Sequence, residues 1–437
     1  MTSRLKKFGG SLVRQLLAPL IDRLDRQNAK FLTLSEEIFR TRSLLKKQSG
    51  QPIHVVFVCH NPSLWGKLKP VYTALSEDPV FNVSIVAVPY RHGTSGHNDF
   101  IDGGAFSFLE SEGVSPIKGF DLTTQEWLDL KGLDPDYIFF QTPYDSQFPY
   151  SYTSEHVSLF AKICYVPYFG FLLYKGEVDE ITHPRNFFRN ISFAFMPHKA
   201  EQRDLMSKFP HELSEKRVVV VGAPMMDYTL NTVIPNGAAW NIGLGAGVKR
   251  VLWTPRWRTS ERNCHFFDYK DYFFDLVEKR EDIDFLFRPH PLCLQNFLAT
   301  GEINQKQLDE MEARLSKTPN AGIDRSGEYQ DTFLSSDILV SDMSSMLGEY
   351  FMTGKPIVYT HRVNCFNEFG AKLATGFYWV SDQKELNQIL CMLLRGEDPL
   401  SEIRQSLIKD MFCNPPGGAS EQIQSFLKSD FWKPTIQ

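Results

Sequence analysis

Two short tracts of this chain combine an apolar run with polar side chains at its carboxyl end. One is Phe287-Arg288-Pro289-His290-Pro291, and the other is Ser341-Asp342-Met343-Ser344-Ser345, which follows an apolar run of its own. Each apolar run predicts a buried strand, and ligands in open α/β sheets bind at the carboxyl ends of strands. Arg288 and His290 offer a cation and a hydrogen-bond donor. The two serines precede a predicted helix, whose N-terminus stabilises anions. Together the tracts predict a phosphate or diphosphate site.

His290 is the most constrained of these side chains because it stands between two prolines. Proline fixes φ and removes a backbone donor, so the segment is rigid and does not continue a sheet ladder. Arg288, two residues earlier, lies on the same face of an extended segment. We therefore predict catalytic roles for both residues. The alternative for His290 is a ring that only bonds a nearby carbonyl group.

Two further loops follow predicted strands and are expected to face the same cleft. Thr254-Pro255-Arg256-Trp257-Arg258 places two arginines close enough to share one anion, with a surface turn as the alternative. In the first half of the chain, Cys59-His60-Asn61 leads from a strand through a polar loop into a helix. His60 and Asn61 are predicted to face the cleft from the opposite side.

Several functional classes are excluded by what the chain lacks. There is no Gly-x-Ser-x-Gly elbow, no Gly-x-Gly-x-x-Gly after a strand and no Walker lysine loop. Asp134-Pro135-Asp136 precedes a strand instead of following one, so we expect it to start that strand and not to bind a metal. We predict no metal, no cofactor and no nucleic-acid partner.

Composition is that of a soluble globular protein, with 437 residues, 42% hydrophobic residues and a net charge of −5. No stretch approaches the roughly 20 apolar residues that a membrane-spanning helix needs. The N-terminus lacks a signal-peptide pattern, and the seven cysteines show no Cys-x-x-Cys spacing. We therefore expect a cytoplasmic protein.

Charge is concentrated in residues 1–50, which carry eleven Lys or Arg against four Asp or Glu, or +7; the other residues therefore carry −12. Apolar side chains recur there at near-helical spacing, at Leu5, Phe8, Leu12, Leu16, Leu20 and Leu24. A basic amphipathic helix of this kind favours the surface of an anionic membrane. The alternatives are a coiled coil, including one that forms a homo-oligomer, and packing on the protein itself.

Two series of apolar runs, separated by helical patterns, follow this segment. The Gly- and Asn-rich stretch 231–249 reads as the linker between them. The pattern predicts an α/β protein with two Rossmann-like, doubly wound domains facing each other across a cleft. We assign residues 1–50 to the amphipathic helical segment, 51–232 to an acceptor domain, 250–405 to a nucleotide-binding domain and 406–437 to a helical tail.

Residues 250–395 resemble the catalytic domain of the CDP-glycerol glycerophosphotransferase family, the teichoic acid polymerases and primases. The matching elements are Trp253 to Arg258, Phe287 to Pro291, Asp337 with Ser341 to Ser345, and Gly354-Lys355-Pro356-Ile357-Val358-Tyr359. The resemblance implies a GT-B architecture with a cytidine nucleotide held mainly by the second domain. It also implies that Arg288 and His290 contact the diphosphate. The expected substrate-binding residues are Thr254, Arg256, Arg258, Asp342, Ser344, Ser345, Glu349, Asn61 and Tyr168.

One segment departs from the family pattern. The polymerases carry Trp-His-Gly-Thr-Pro-Leu-Lys in the first half, and the histidine is their proposed general base. Here the aligned segment is 166–176, where Tyr168 or Phe169 takes the place of that histidine. His60 and Asp145 are therefore the predicted groups for removing the acceptor's proton.

The predicted function is transfer of a polyol phosphate from CDP-glycerol or CDP-ribitol to a hydroxyl of a lipid-linked surface glycan, with release of CMP. The enzyme would lie on the inner face of the cell membrane, bound there through residues 1–50. The missing histidine supports an alternative, a GT-B glycosyltransferase that uses a CMP- or other nucleotide-activated sugar. A third interpretation is a binding protein that kept only the nucleotide site.

Overall fold

The computed structural model describes residue 34 and residues 36–91, 100–169, 171–176, 182–231, 233–241, 247–261, 263–326, 329–360, 365–412 and 418–432. Most of the predicted basic helix, residues 1–33, lies outside the described residues. Its last part is helix α1, residues 36–49. No helix in the described ranges has the length and apolar character that crossing a bilayer requires.

The first half of the chain builds a parallel sheet of seven strands. Continuous apolar runs such as Ile-His-Val-Val-Phe-Val-Cys form strands that are buried on both faces. The strands are β1 (Ile53–Cys59), β2 (Phe81–Ala87), β3 (Ile117–Lys118), β6 (Tyr137–Phe140), β7 (Lys162–Tyr165), β8 (Phe193–Met196) and β9 (Val218–Val220). Their order is β3-β2-β1-β6-β7-β8-β9. A separate antiparallel pair consists of β4 (Phe120–Asp121) and β5 (Glu126–Trp127).

The second half builds a parallel sheet of six strands. They are β10 (Lys249–Thr254), β11 (Ile283–Phe287), β12 (Ala321–Ile323), β13 (Ile338–Ser341), β14 (Ile357–Thr360) and β15 (Tyr378–Val380). Their order is β12-β11-β10-β13-β14-β15, so the chain reverses direction across the sheet at β10. A crevice opens at such a reversal, outside the carboxyl ends of the strands. The predicted doubly wound α/β fold is confirmed.

Helices connect the strands and cover the sheets. In the first half they are α2 (Trp65–Ser76), α3 (Ala105–Ser111), α4 (Ser154–Val157), α5 (Arg185–Asn190), α6 (Lys199–Lys208) and α7 (Pro224–Asn231). In the second half they are α8 (Phe266–Lys279), α9 (Cys293–Ala299), α10 (Gln305–Lys317), α11 (Gln330–Ser335), α12 (Met346–Phe351), α13 (Glu368–Leu373), α14 (Gln383–Leu394), α15 (Ser401–Met411) and α16 (Ala419–Phe431).

The predicted tail, residues 406–437, does not behave as one unit. Helix α15 packs on the second domain, whereas α16 crosses back and buries Ile423, Leu427 and Phe431 in the core of the first domain. Helix α1 packs beside α16, because the ring of Phe39 contacts that of Phe431 at a centroid distance of 5.7 Å. The first domain therefore includes a helix that precedes the second domain in the chain, α1, and a helix that follows it, α16.

Asp134-Pro135-Asp136 leads into β6, as predicted, and has a structural role. Asp136 is fully buried, and its Oδ2 accepts a hydrogen bond from Lys46 Nζ at 2.8 Å. Arg42 Nε lies 3.1 Å from the other carboxylate oxygen. The two basic residues come from α1, so these ion pairs fix that helix to the first sheet.

Segment 171–174 of the first domain packs into the second domain. Its side chains belong to the same hydrophobic cluster as Leu347, Tyr350 and Phe369. The N–H of Asn367 donates to the carbonyl of Leu173 at 2.8 Å. Gly348 permits the close approach, since a Cβ there would lie 2.8 Å from Phe171. The two domains are thus joined by a shared core next to the cleft.

Candidate active site

The loops that follow β10, β11 and β13 meet at the reversal of the second sheet. Arg256, His290 and Ser344 come from these three loops, as the sequence predicts. The strands are hydrogen-bonded neighbours, so their carboxyl ends lie side by side. The three loops together form one wall of the cleft between the domains.

His290 has an exposed ring that is held from two sides. Its ring stacks on that of Trp257 at a centroid distance of 5.5 Å, and its Nδ1 accepts the N–H of Leu292 at 3.2 Å. Since Nδ1 accepts, the neutral ring carries its proton on Nε2, which makes Nε2 a hydrogen-bond donor for a ligand. Desolvation, and then the charge of Arg256, lower the pKa of His290. The neutral donor form is therefore favoured at neutral pH.

Arg288 is engaged in a network that the sequence analysis did not identify. Its guanidinium forms an ion pair with the buried Asp324 and donates to the Ser326 carbonyl at 2.8 Å. The centroid of the Tyr329 ring lies 5.8 Å from Arg288 Cζ. The charge of Arg288 is thus compensated inside the protein. Contact between Arg288 and a diphosphate stays a prediction.

Thr254 and Asp342, which were predicted to bind substrate, are structural residues. Thr254 is buried and donates from Oγ1 to Ser341 Oγ at 2.9 Å, which joins β10 to β13. Asp342 is buried as well and accepts the N–H groups of Arg256 at 2.6 Å and His265 at 3.0 Å. Burial raises the pKa of Asp342 to about 7 despite these bonds. Neither side chain faces solvent, although both lie at a strand end, and their contact with substrate stays a prediction.

The two arginines of the same loop remain at the cleft wall. Arg256 donates from Nη1 to the Met343 carbonyl at 3.0 Å, so it braces the loop that leads to the two serines. The guanidinium of Arg258 lies 3.9 Å over the Trp257 ring. Trp257 therefore has Arg258 and His290 as ring partners, which brings two predicted site residues together.

Ser344 and Ser345 precede α12, as predicted. Ser345 is exposed, whereas the Ser344 hydroxyl accepts the N–H of Met346 at 3.2 Å. The Ser344 N–H donates to the hydroxyl of Tyr174 at 2.8 Å, and that hydroxyl donates back to the Ser344 carbonyl at 3.2 Å. Tyr174 belongs to the first domain and was missed by the sequence analysis. It holds the serine turn from across the cleft.

Glu349 lies one turn after Ser345 and also meets the first domain. The Glu349 carboxylate is buried and accepts from Lys67 Nζ at 2.9 Å. It also accepts from the hydroxyl of Tyr329, and Lys67 donates to that hydroxyl at 3.2 Å. Lys67 lies on α2, directly after the loop that begins with His60. These contacts make an ion pair between the two domains at the cleft floor.

A small pocket adjoins this ion pair. It lies at the carboxyl ends of β7, β8 and β9, on the first-domain side of the cleft. Lys67 and Glu349 are its charged lining residues among those described. The other lining residues are Val166, Pro167, Phe169, Phe171, Phe195, Pro197, Gly222, Ala223, Pro224, Met225 and Met226.

His60 does not face the cleft. Its ring is buried between Tyr90 and Phe148, at centroid distances of 5.1 and 5.2 Å. Burial lowers the pKa of His60 to about 3. Asn61 is used locally, because its Oδ1 accepts the N–H of Ser63 at 3.0 Å. His60 is therefore buried and one side-chain atom of Asn61 is in a local hydrogen bond, and the roles of both residues stay predictions.

Asp145 and Tyr168 are also engaged inside the first domain. The two carboxylate oxygens of Asp145 accept the N–H and the hydroxyl of Ser154, each at 2.7 Å. Asp145 therefore holds the start of α4. The hydroxyl of Tyr168 lies 2.7 Å from that of Tyr144, and burial raises the pKa of Tyr168. Of the two residues that replace the family histidine, Phe169 lines the pocket.

No group of three or more metal-ligating side chains occurs in the part of the chain that the structure describes. The wall of the second domain offers nitrogen donors and hydroxyls, and the first domain offers an apolar pocket. Such a site can hold a phosphate-bearing ligand against one domain and a less polar molecule against the other.

One protein family matches the part of the chain that builds this site. Residues 193–363 match the family described as CDP-Glycerol:Poly(glycerophosphate) glycerophosphotransferase. The match covers the loops of Arg256, His290 and Ser344, so the predicted resemblance to this family of transferases is confirmed.

Solved structures show where the fold recurs. A variant of the wall teichoic acid polymerase TagF, soaked with CDPG, matches with a TM-score of 0.56 and 14% identity over 98% of each chain. A putative UDP-N-acetylglucosamine 2-epimerase from Listeria monocytogenes matches with a TM-score of 0.61 and 14% identity, over 88% of this chain and 98% of that chain. The epimerase from Neisseria meningitidis, bound to UDP-GlcNAc, gives 0.57 and 14%, over 87% and 100%. No curated protein sequence matches the chain.

Proposed function

We propose that this protein transfers a polyol phosphate from a CDP-activated polyol, CDP-glycerol or CDP-ribitol, to a hydroxyl of a lipid-linked surface glycan. The observation that carries the proposal is the family match at residues 193–363, which spans the convergent loops of Arg256, His290 and Ser344. The proposed donor site is the crevice of the second sheet, where these loops meet.

The transfer is a displacement at the phosphorus next to the polyol. The acceptor oxygen forms a new bond to that phosphorus, and the bond from the phosphorus to the CMP oxygen breaks. CMP leaves with the bonding electron pair, and the acceptor's hydroxyl proton passes to a base. The product is a phosphodiester, and no oxidant or reductant is needed.

Negative charge grows on the leaving CMP, so prearranged donors at the second-domain wall carry much of the proposed catalysis. His290 presents Nε2–H, and Arg256 and Arg258 lie on the neighbouring loop with fixed charge. The hydroxyl of the exposed Ser345 and the start of α12 add hydrogen-bond donors. Backbone or ring contacts hold Arg256, Arg258 and His290 before the ligand binds.

Glu349 is the proposed base for the acceptor's proton. It is the carboxylate that lines the pocket among the described residues, and it stands one helical turn from Ser345. His60 is buried, and both carboxylate oxygens of Asp145 accept hydrogen bonds from Ser154, so we prefer Glu349 to these two residues. Lys67, paired with Glu349 at 2.9 Å, would stabilise the alkoxide that forms as the proton leaves.

Attachment to the inner face of the membrane is part of the proposal. Residues 1–50 carry +7 of charge, which favours an anionic lipid surface. At the described end of that segment, Leu34 and, in helix α1, Ile38 and Leu45 are more than half exposed. A sedimentation assay with vesicles containing anionic lipid would test this part, using the chain without residues 1–33 as the control.

The central experiment combines ligand binding with product analysis. Thermal melting of the purified protein would be followed with CDP-glycerol, CDP-ribitol, CMP, UDP and GDP, since a ligand of the folded state raises Tm. We expect stabilisation by the cytidine ligands and CMP release when an acceptor glycan is added. A new glycosidic bond in the product, or stabilisation by UDP or GDP alone, would replace this function with sugar transfer. Binding of cytidine ligands without turnover on any acceptor would indicate a binding protein.

A further inference from the structure

One buried carboxylate holds both ends of the arginine loop, the connection between β10 and α8 that carries Arg256, Trp257 and Arg258. The carboxylate belongs to Asp342, which directly follows β13 and is 1% exposed. Its Oδ1 accepts the N–H of Arg256 at 2.6 Å, and its Oδ2 accepts the N–H of His265 at 3.0 Å. Arg256 lies near the start of the loop and His265 at its end. A single side chain therefore closes the loop at its base.

Two further contacts act at the base of the arginine loop. The thiol of Cys264, next to His265, donates to the Arg256 carbonyl at 2.8 Å. The Arg256 side chain donates from Nη1 to the Met343 carbonyl at 3.0 Å. Met343 leads into the serine turn before α12, so the position of the arginine loop is coupled to that of the serines.

The strands beneath the loop are joined without Asp342. β10 and β13 pair in parallel register as far as Thr254 and Ser341. The Thr254 hydroxyl donates to Ser341 Oγ at 2.9 Å, and Ser341 Oγ donates to the Thr254 carbonyl at 2.8 Å. Since these bonds fix the two strand ends, the hydrogen bonds that Asp342 accepts act on the loop and not on the sheet.

The charge of Asp342 decides how firmly the loop is held. Hydrogen bonds to an ionised carboxylate are about twice as strong as those to a neutral acceptor. Burial raises the pKa of Asp342 to about 7, although the N–H groups of His265 and Arg256 favour the ionised form. The folded protein therefore holds both the ionised and the neutral acid near neutral pH.

The groups around Asp342 differ in whether they titrate near neutral pH. The titratable side chains that face Asp342 from the arginine loop, α9 and β14 are Arg256, Cys264, His265, Cys293 and Tyr359. Burial, with the charge of Asp342 as a smaller cause, raises the pKa of the two thiols and of the tyrosine hydroxyl, so these groups stay neutral. Arginine stays cationic. His265, whose Nδ1 lies 3.2 Å from Thr360 Oγ1, is the other group of this set that titrates in the range of Asp342.

We propose that Asp342 is a positioning residue of the donor site, whose carboxylate closes the arginine loop and thereby sets the affinity for the donor's diphosphate. The inference rests on the proposed function and adds a residue that acts on the ligand through the loop. With the loop closed, Arg256, Arg258 and the Trp257 ring beside His290 are ordered before the ligand binds, which reduces the entropy lost on binding. Loss of the charge on Asp342 loosens the loop and weakens donor binding.

The first test measures CDP-glycerol binding to the full-length wild-type protein by isothermal titration calorimetry between pH 6 and pH 8. CDP-glycerol is a diphosphate diester with no group that titrates in this range, so a pH dependence reports on the protein. We expect the affinity to fall about ten-fold from pH 8 to pH 6, as one proton binds to Asp342. Protonation of His290 has the opposite sign, because a cationic ring attracts the diphosphate. An affinity that stays constant or rises at low pH would overturn the proposal.

A substitution assigns the pH dependence to Asp342. Asp342→Asn keeps the shape of the side chain but turns one acceptor oxygen into an N–H₂ group that faces an N–H. We expect the donor KM to rise about ten-fold or more, with kcat and the acceptor KM close to wild type. The affinity for CDP-glycerol should also lose its pH dependence. A pH dependence that persists in Asp342→Asn would assign it to another group, such as His265, and contradict the proposal.

The matched control is Asp136→Asn in the first domain. Asp136 is also fully buried and accepts a backbone N–H, from His54 at 2.8 Å. Its substitution should lower the melting temperature of the free protein and leave the donor KM unchanged. Equal donor KM values for the two variants would mean that Asp342 has only a general structural role.

A milder pair of variants tests the loop if Asp342→Asn does not fold. Cys264→Ala removes the thiol bond to the Arg256 carbonyl and should raise the donor KM by about two- to five-fold. Cys264→Ser keeps a hydrogen-bond donor and should restore the wild-type value. Cys164→Ala is the control for loss of a buried thiol, in the first domain. Equal donor KM values for Cys264→Ala and Cys164→Ala would contradict the role of the loop closure.

The two levels of proposal fail differently. Binding of CDP-glycerol with an affinity independent of pH would remove only the role of Asp342. If UDP or GDP binds and CDP-glycerol does not, the proposed function is wrong. The pH profile would then be measured with UDP-glucose or GDP-mannose, diphosphate diesters that also do not titrate between pH 6 and pH 8, and would still decide the role of Asp342. Binding of no nucleotide would remove both.

Discussion

The carboxyl ends of the two sheets face the same cleft but carry different kinds of side chain. In the second domain, polar loops are tied down by backbone hydrogen bonds: Asp342 alone accepts two N–H groups. In the first domain, the ends of β7 to β9 carry phenylalanines, prolines and methionines around a pocket. A polar wall with fixed donors suits a charged donor substrate, and an apolar wall suits the partner that receives the group. The difference supports the proposal that the donor binds to the second domain.

The largest effect is expected on the polar wall. His290→Ala removes the Nε2–H donor and should lower kcat by about 10² to 10³. The ring is exposed, so the melting temperature in the absence of ligand should stay within a few degrees of wild type. Steady-state CMP release and a thermal melt would measure both. Near-normal turnover would show that His290 has no catalytic role.

The ion pair between the domains is the next test. Glu349→Gln keeps the shape and the hydrogen bond to Tyr329 but removes the proposed base. We expect kcat to fall about 10²-fold, within the range for general-base catalysis. The melting shift with CDP-glycerol should persist, because the donor is assigned to the other wall. A variant that loses the shift but keeps its kcat would show that Glu349 binds the donor instead.

His60 provides a contrast, since it is buried in the first domain and has no proposed catalytic role. Its lowered pKa, about 3, means that the folded protein holds the neutral ring. The contribution of His60 to the free energy of unfolding is therefore fully present above a pH of about 6.5. It is lost as the pH falls towards 3, by up to about 1.4 kcal/mol per pH unit. His60→Leu should flatten that part of the urea-unfolding profile against pH. Its turnover at pH 7.5 should equal that of wild type; a large loss would restore His60 to the site.

The smallest effect is expected at the contact between the walls. Tyr174→Phe removes the hydroxyl that bonds the N–H and carbonyl of Ser344, while the ring keeps its stacking on Phe366. The free energy of unfolding should fall by about 0.5–1.5 kcal/mol. Urea denaturation would measure this, with Tyr150→Phe, at an exposed tyrosine, as the control. Equal values for both variants would mean that the contact adds no stability.

Much of the fold could be predicted because buried parallel strands are continuous apolar runs. Ile53–Cys59 and Tyr137–Phe140 are such runs, and the predicted linker ends where β10 begins, at Lys249. Strand β12 was missed, since Ala321–Ile323 is three residues long and contains a glycine. The sequence did not indicate which domain the C-terminal helix joins, because an amphipathic pattern does not reveal which of two cores a helix packs against.

The site was predicted in part for an equally physical reason. Chain position after a strand fixes which loops meet, so Arg256, His290 and Ser344 came together as expected. It does not fix where each side chain turns: Thr254 and Asp342 face inward, and His60 packs under Phe148. The partners Lys67, Tyr174, Asp324 and Tyr329 lie far from these loops in sequence, and no local motif marks them. The sequence signal for Tyr174 is limited to its hydroxyl group, within segment 166–176.

Helix α1 precedes the second domain in the chain and α16 follows it, but both helices pack on the first domain. During synthesis, residues 51–232 leave the ribosome long before α16, whose Ile423, Leu427 and Phe431 fill the first core. The first domain is therefore completed only after the second domain has been made. A ribosome that stalls before residue 419 would release a protein with an open first core and exposed apolar surface, which is a target for chaperones and proteases.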